Sequence, residues 1–366
     1  MVTCSHQITK QKTKQRCYLR FFTGGFKMSV ITFVCAGQMN SAITFPAFEN
    51  GHEVRLVGSP LDRDIIDGLK KDNFHITLKR TLHDGIKYYQ IEELEEALKG
   101  ADLVLGGVSS FGLDWFCDEI LPVLPEDVPV LTVTKGMVDL EDGTLVPYPH
   151  IFAQRQPEGK HYELADHDDS HVAFCGKDIE TLKYIKSLLE TDYYHISLST
   201  DVVGVECAVA MKNAYALGVS LAVGLAEKRD GKIGSQHYNS QAALFGQSVK
   251  EMTKLLELIG GKPENIIHGA GDLYVTIFGG RTRKIGTLLG RGLSFEEAMA
   301  ELQGVTLESI VISTRTARAV RKLAERGIVS LEDFPLLMHV DAIINQGAEV
   351  NIPWKDFTWN DFSLAE

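Results

Sequence analysis

The alternation of apolar and polar positions divides the chain into two unlike halves. From residue 29 to residue 199, short β-branched apolar runs alternate with helical stretches, an order that predicts a parallel sheet covered by helices. The expected strands are Ser29–Cys35, His52–Val57, Ala101–Val108, Val130–Thr134, Val172–Cys175 and His195–Ser199, and the clearest helices between them are Met39–Glu49, Ile91–Leu98 and Asp178–Leu189. Pro46 predicts a kink in the first of these helices.

After residue 200 almost every segment has a helical period. The expected helices are Gly204–Glu227, Gln241–Ile259, Ser294–Leu302 and Leu307–Glu325. Ser294 and Glu297 have the spacing of a capping box at the start of the third helix. We therefore expect an α/β N-terminal domain with a parallel sheet over residues 29–199 and an all-α C-terminal domain over residues 200–366.

Residues 1–28 fit neither half. They carry six basic side chains, no acidic one and no sustained helical period, so we expect a disordered basic tail outside the fold. Met28 stands immediately before the first predicted strand, which favours an upstream extension over a transit peptide.

Composition narrows the possible functions. The 366 residues carry a net charge of −12, which disfavours nonspecific binding to nucleic acid or anionic lipid and requires a locally basic site for any anionic ligand. The six cysteines form no CxxC pair, so we expect reduced thiols in a cytoplasmic protein.

The longest uncharged apolar stretch of the second half, Asn213–Ala226, is shorter than the roughly 20 residues of a membrane span. We expect it to be a buried helix.

The turn after the first predicted strand is the first candidate site. A dinucleotide fingerprint would read G-x-G-x-x-G there, but Cys35 and Asn40 replace the outer glycines and only Gly37 remains. Taken alone, the turn is equally compatible with nucleotide binding and with an ordinary strand-to-helix connection. No acidic residue stands about 20 residues on, and Asp62 and Arg63 follow slightly later, so both NAD and NADP remain open.

The second candidate is a lysine in an apolar helix. Lys212 and Asn213 interrupt the nearly continuous apolar run from Glu206 to Glu227. A helix that is hydrophobic all round is buried, and burial tunes a lysine for general acid/base chemistry. The alternative is a lysine whose side chain reaches the surface.

The third candidate is a basic segment that follows two glycines. Asp272 and Thr276 lie four residues apart and share a face if their segment is helical. After Gly279 and Gly280, a helix beginning near Arg281 offers backbone N–H groups and a guanidinium to a phosphate. The alternative is a solvated helix end.

Together these stretches resemble the NAD(P)-dependent glycerol-3-phosphate dehydrogenases, over about residues 30–344. The most specific pieces are Asp201–Glu206 leading into Lys212-Asn213, Gly271-Asp272-Leu273 with Thr276, and Gly279-Gly280-Arg281. The resemblance implies a Rossmann-type N-terminal domain, a helical C-terminal domain and reversible reduction of dihydroxyacetone phosphate to sn-glycerol 3-phosphate. It also implies a cytoplasmic enzyme of glycerophospholipid precursor synthesis, which we expect to be a homodimer.

The resemblance assigns roles residue by residue. It implies catalytic roles for Lys212, Lys135 and Asp272. The implied substrate-binding residues are Lys135, Asn213, Asp272, Thr276, Arg281 and Thr282. The implied cofactor-binding residues are Gly37, Gln38, Met39, Asn40, Ser110, Phe111, Lys135, Arg281 and Gln303.

Several positions depart from the family pattern. Thr282 stands where an Asn is usual, Ser109 replaces a Pro, and no Gly-Pro-Ser/Cys segment precedes Glu163-Leu164-Ala165. Like Cys35 and Asn40, the missing segment lies on the cofactor side. The leading hypothesis is an active dehydrogenase; the alternatives are another β-hydroxyacid-type dehydrogenase and a degenerate homologue that binds a phosphorylated ligand or nucleotide without turnover.

One further stretch is rich in Asp and His. Its members are His161, Asp166, His167, Asp168, Asp169 and His171. Between two elements such a stretch is usually a solvated loop, and we expect no metal site there.

Overall fold

The computed structural model describes residues 2–5, 28–108, 112–125, 128–133, 137–147, 167, 169–231, 237–302 and 307–357. The chain forms two compact units, one made of Met1–Lys135 with Tyr148–Val202 and the other of Gly136–Pro147 with Val203–Glu366. The first is an α/β unit and the second is mainly helical, which confirms the expected fold class. The sequence analysis assigned the whole of 29–199 to the first domain, whereas Gly136–Pro147 belongs to the helical unit.

The α/β unit contains an eight-stranded sheet. Its elements in chain order are β1 (Val2–Ser5), β2 (Val30–Val34), α1 (Gln38–Glu49), β3 (Glu53–Val57), α2 (Arg63–Asp72), the small hairpin β4 (Phe74–His75) and β5 (Arg80–Thr81), β6 (Lys87–Tyr89), α3 (Leu94–Leu98), β7 (Leu103–Gly106), α4 (Leu113–Trp115), β8 (Val130–Thr132), β11 (Ser170–Cys175), α5 (Ile179–Leu189) and β12 (Tyr194–Ser199). The strand order is β12-β11-β1-β8-β7-β2-β3-β6. The five strands from β8 to β6 are mutually parallel, and the other three run in the opposite direction.

The centre of this sheet is buried on both faces, as parallel strands require. Ile31, Phe33 and Val34 of β2 have no exposed surface. Helix α1 continues through Pro46 and ends at Asn50, whose side-chain amide donates to the carbonyls of Leu188 and Glu190. The C-terminal end of α1 is thereby joined to the C-terminal end of α5.

Strand β1 was not expected from the sequence. Its backbone lies between β8 and β11, with Thr3 opposite Thr132 in an antiparallel ladder and opposite Cys175 in a parallel one. The expectation of a tail wholly outside the fold therefore does not hold for Val2–Ser5. The stretch in which the family's Gly-Pro-Ser/Cys segment is missing lies outside the described residues.

The helical unit is built around one long helix. Its elements are the hairpin β9 (Met137–Asp139) and β10 (Leu145–Pro147), then α6 (Val202–Asp230), α7 (Tyr238–Leu258), α8 (Ile266–Ile277), α9 (Gly280–Arg291), α10 (Phe295–Glu301), α11 (Glu308–Glu325) and α12 (Pro335–Gln346). The predicted capping box of Ser294 and Glu297 is present at the start of α10. Among the described residues, α6 alone has the length and apolar composition of a membrane-spanning helix, but 89% of its most apolar 18-residue window is buried in the protein.

Glycines let α6 pack backbone to backbone against α8 and α9. A Cβ on Gly224 would overlap the carbonyl of Thr287, and a Cβ on Gly286 would lie 2.5 Å from that of Ser220. On α8, a Cβ on Gly269 would overlap the carbonyl of Ala208. These contacts fix the spacing of the three helices.

The hairpin β9–β10 is tied to α11. Arg318 donates to Asp139 through both Nε and Nη2, with 2.7 Å between Nη2 and Oδ1. Lys322 donates to the carbonyl of Leu140 and Arg326 to that of Asp142. These polar contacts explain why the hairpin belongs to the helical unit.

A buried carboxyl group links α7 to α12. Glu251 Oε1 accepts from the Leu336 amide at 2.9 Å and from Gln247 at 2.7 Å, and Oε2 accepts from the Leu337 amide at 3.1 Å. Burial raises the pKa of Glu251 to about 7, although these hydrogen bonds act to lower it. Burial of the Tyr215 hydroxyl raises its pKa, and the charge of the nearby Glu251 raises it further.

Gly224→Ala should destabilise the protein, because its new methyl group meets backbone that cannot move aside. We expect a loss of about 1–3 kcal/mol in the free energy of unfolding, measured by urea denaturation. Gly271→Ala is the matched control, since a Cβ at this position of α8 meets no atom within 4 Å, and should be neutral or stabilising by up to about 1 kcal/mol. Equal effects of the two substitutions would contradict the close packing of α6.

Thr3→Pro tests the position of β1. Proline removes the backbone donor and disfavours a central strand, so the midpoint of thermal unfolding should fall, whereas Thr3→Ala should change it little. If both variants unfold at the temperature of the parent protein, β1 is not part of the sheet.

Glu251 predicts a pH-dependent stability. Its carboxyl group titrates near 4.5 when unfolded and near 7 when folded, so the folded chain retains the proton between these values. The free energy of unfolding should therefore fall as pH rises from about 4.5 to about 7, by at most about 1.4 kcal/mol per pH unit. Glu251→Gln should be less stable at low pH but should show a flatter profile in urea titrations. Parallel profiles would show that Glu251 does not titrate in this interval.

Candidate functional site

The turn between β2 and α1 carries the altered fingerprint. Cys35 has φ +77°, the left-handed region that a glycine adopts most easily. Gly37 is the N-cap of α1, which has no side-chain cap and no acidic residue in its first turn. A Cβ on Gly37 would meet only the Gly107 carbonyl, at 3.5 Å. The N–H groups at this helix start are thus suited to receive an anion.

The other predicted residues of this turn have different environments. Gln38 is exposed and its amide donates to the Thr77 carbonyl at 2.8 Å. Met39 is half-buried against the core of the α/β unit. Asn40 has no exposed surface, and its Nδ2 donates to the carbonyls of Val34 and Cys35. Asn40 therefore contacts the turn's own backbone.

Two residues that sequence reasoning missed hold this turn from the side. Asp62 Oδ2 accepts from the backbone amides of Ala36, at 3.0 Å, and Ser59, at 2.8 Å. The buried ring of His75 lies 2.9 Å from the Ala36 carbonyl through Nε2 and accepts from Leu78 through Nδ1. Because a carbonyl only accepts, the proton is on Nε2, and burial lowers the pKa of His75.

The Cys35 thiol in this turn carries no charge. Burial raises the pKa of the Cys35 thiol well above its usual value, and the nearby Asp62 charge raises it further. The thiol is therefore protonated at neutral pH and acts as a small apolar side chain. Cys35 offers the site no nucleophile.

In the helical unit, α6 and α8 bring together the two strongest catalytic candidates. Lys212 has no exposed surface, and its Nζ donates to Asp272 Oδ1 at 2.8 Å. The side chain of Asp272 is 20% exposed. Lys212 thus does not reach the surface in the way the alternative reading required, and its charge is paired where it is buried.

The remaining substrate-side residues lie beside this pair in sequence. Asn213 is half-buried on α6, and Thr276 lies one turn after Asp272 on α8, donating to its carbonyl at 2.7 Å. The helical conformation of Ile266–Ile277 confirms that Asp272 and Thr276 share a face.

The expected helix start near Arg281 is also present. Helix α9 begins at Gly280, which has φ +79°, after the N-cap Gly279. It has no side-chain cap and no acidic residue in its first turn, and Thr282 there is buried. Arg281 is half-buried. The segment places the amides of a helix start beside a cation, as an anion site requires.

Some predicted site residues lie outside the described part of the chain. They are Ser110, Phe111, Lys135 and Gln303.

The described members of the Asp/His stretch make surface hydrogen bonds. His167, together with His83, donates through Nε2 to Glu49 Oε1 at 2.7 Å, and Tyr193 donates to the other oxygen at 2.5 Å. Burial raises the pKa of Glu49, but these hydrogen bonds lower it more, so the net shift is downward. Within the described ranges, no three His, Cys, Asp or Glu side chains gather so as to hold a metal ion.

Comparisons with known proteins agree with this geometry. Residues 30–161 match the model of the NAD-dependent glycerol-3-phosphate dehydrogenase N-terminus, and residues 201–354 match that of the C-terminus. An NADP(+)-dependent glycerol-3-phosphate dehydrogenase of Archaeoglobus fulgidus is 28% identical over 335 residues, covering 88% of this chain and 96% of the relative. A glycerol-3-phosphate dehydrogenase [NAD(P)+] of Bacillus mycoides is 28% identical over 315 residues, covering 82% and 87%.

Solved structures share the fold. Glycerol-3-phosphate dehydrogenase of Plasmodium falciparum superimposes with a TM-score of 0.76 at 18% identity, covering 95% of this chain and 98% of that one. The Coxiella burnetii enzyme gives 0.69 at 23% identity, covering 91% and 98%. With residues 30–161 and 201–354 matched by the models of its two parts, the chain belongs to the NAD-dependent glycerol-3-phosphate dehydrogenase family.

Proposed function

We propose that this chain catalyses the NAD(P)-dependent, reversible reduction of dihydroxyacetone phosphate to sn-glycerol 3-phosphate. The observation that carries the proposal is the fully buried Lys212 paired with Asp272. Burying an ammonium group without a partner is costly in free energy. A buried lysine is therefore retained where a counter-ion neutralises its charge or where its proton takes part in a reaction. The relatives that match most of the chain are named for this one reaction, which favours it over another hydroxyacid dehydrogenase and over a non-catalytic homologue.

We assign dinucleotide binding to the α/β unit. The uncapped start of α1 fits a pyrophosphate, since Gly37 leaves its backbone open. When bound, the nicotinamide supplies the hydride. Gln38 and Met39 flank this contact. The family roles of Ser110, Phe111 and Gln303 beside the cofactor complete the assignment.

We assign proton transfer to Lys212. As the C2 carbonyl of the substrate becomes an alcohol, the Lys212 ammonium gives its proton to the C2 oxygen and takes it back in the reverse reaction. Asp272 orients Nζ through the 2.8 Å hydrogen bond and stabilises the charged form. Asn213 and Thr276 are assigned to the substrate oxygens, and Lys135 to the second active-site lysine.

We assign the substrate phosphate to the start of α9. Its amides, the Arg281 guanidinium and the Thr282 hydroxyl form a locally basic site on a chain of net charge −12. Such a site selects a phosphorylated substrate over a neutral one.

The wider setting follows from the same family membership. We propose a cytoplasmic homodimer whose product serves glycerophospholipid synthesis. The scattered cysteines without a CxxC pair support the reducing compartment.

Lys212→Met tests the proposal in an assay of NADH and NADPH oxidation with dihydroxyacetone phosphate. We expect kcat to fall about 10²-fold or more, with little change in dinucleotide affinity. Lys228→Met is the matched control, because Lys228 is an exposed lysine on the same helix. Unphosphorylated dihydroxyacetone should be a poor substrate of the parent protein.

A Lys212→Met variant with nearly full kcat would remove Lys212 from the mechanism. A folded parent protein that oxidises neither dinucleotide would favour the non-catalytic homologue.

A further inference from the structure

The altered fingerprint turn contains a residue in an unfavourable backbone conformation. Cys35, at the first glycine position, has φ +77°, and the left-handed region is disfavoured for residues with a Cβ. A residue in such a conformation persists only where the surrounding structure holds it in place.

Asn40 supplies that restraint. Its Nδ2 donates to the Val34 carbonyl at 2.9 Å and to the Cys35 carbonyl at 2.8 Å. These carbonyls belong to the two peptide groups on either side of Cys35, so one side-chain amide fixes both planes that define its φ and ψ. Since both partners are acceptors, the atom facing them is the amide nitrogen.

Further backbone contacts hold the same turn. The Cys35 amide donates to the Val57 carbonyl at 2.8 Å, and the Ala36 amide and carbonyl are bound by Asp62 and His75. Asn40 is the member of this set that occupies the third glycine position of the fingerprint. A glycine at this position has no side-chain amide that could donate these hydrogen bonds.

Space for Asn40 comes from the neighbouring strand. A Cβ on Gly107, immediately after β7, would lie 2.5 Å from both Cβ and Cγ of Asn40 and 2.8 Å from its Nδ2. Asn40 has no exposed surface, so it cannot turn away into solvent. In the common fingerprint, the third glycine permits close packing of the helix against the strand because it has no side chain. Here Gly107, on the strand side, is the residue without a side chain.

We propose that Asn40 is a positioning residue for dinucleotide binding, and that Asn40 and Gly107 together replace the third glycine of the fingerprint. Asn40 acts through the backbone of the turn, since it is buried beneath it. This inference rests on the proposed function, because the dinucleotide is the ligand whose pyrophosphate the turn would receive.

The test combines three substitutions with fluorescence titration of NADH and NADPH. Asn40→Gly restores the common fingerprint residue, yet it should weaken dinucleotide binding roughly tenfold because the restraint on Cys35 is lost. Cys35→Gly/Asn40→Gly should recover most of that affinity, since glycine adopts the left-handed conformation unaided. KM for dihydroxyacetone phosphate at saturating dinucleotide should stay unchanged, because the proposed phosphate-binding residues at the start of α9 lie in the helical unit.

Gly107 provides a second, steric arm. Gly107→Ala should lower the thermal midpoint and weaken dinucleotide binding, and adding Asn40→Gly to it should restore the midpoint, because the new methyl group then meets a hydrogen. Additive effects of these two substitutions would overturn the proposed pairing.

The outcomes separate the inference from the proposed function. If the parent protein binds dinucleotide and Asn40→Gly binds equally tightly at temperatures well below its thermal midpoint, Asn40 has only a structural role and the inference fails. If the parent protein, once folded, binds neither NADH nor NADPH, the proposed function fails and the inference fails with it. If Asn40→Gly does not fold, Cys35→Gly/Asn40→Gly decides: affinity near that of the parent supports the inference, and affinity far below it overturns it.

Discussion

The close approach of α6 and α8 is the constraint on which the buried ion pair of the helical unit depends. Gly269 and Ala208 bring the two helix backbones into contact, about one turn before Asp272 and Lys212. Only at such a short spacing does the carboxylate reach the ammonium at 2.8 Å inside the protein. Because a buried charge without a partner is costly, the helix packing and the ion pair stabilise each other. The proposed acid/base chemistry therefore depends on that packing.

The same principle operates at the start of α9. Gly286 and Gly224 let α9 lie directly on α6, and Gly280, in the left-handed conformation that glycine adopts readily, begins a helix that no side chain caps. The position of Arg281 is therefore set by backbone contacts and not by a flexible loop. On a chain with an excess of acidic residues, this basic helix start is the proposed binding place of the substrate phosphate.

The local patterns in the sequence predicted most of the elements. Apolar periodicity located β2, α1, α6 and α11 to within a few residues, and paired glycines marked the start of α9. The elements and side-chain contacts that these patterns missed depend on residues far apart in the sequence. Strand β1 pairs with residues more than 120 positions away, the hairpin β9–β10 is held by ion pairs to α11, and His75 and Asp62 reach the turn from outside its motif.

The altered fingerprint shows why such contacts matter for function. Read along the chain, Cys35 and Asn40 are two defects in a glycine motif. In the structure, Asn40 lies against Gly107, which is 67 residues further on and carries no motif of its own. No pattern within one sequence links Asn40 to Gly107. The altered fingerprint therefore predicted a weakened site, whereas in the structure Asn40 holds the backbone of the turn in place.

The central claim is that Lys212 and Asp272 act as one acid/base unit. A double-mutant cycle on kcat with Lys212→Met and Asp272→Asn tests it most directly, with dinucleotide affinity measured in parallel. The account predicts strong non-additivity: the double variant should be about as slow as Lys212→Met alone, because Asp272 has nothing to orient once the ammonium is gone. Independent effects that multiply in the double variant would contradict it.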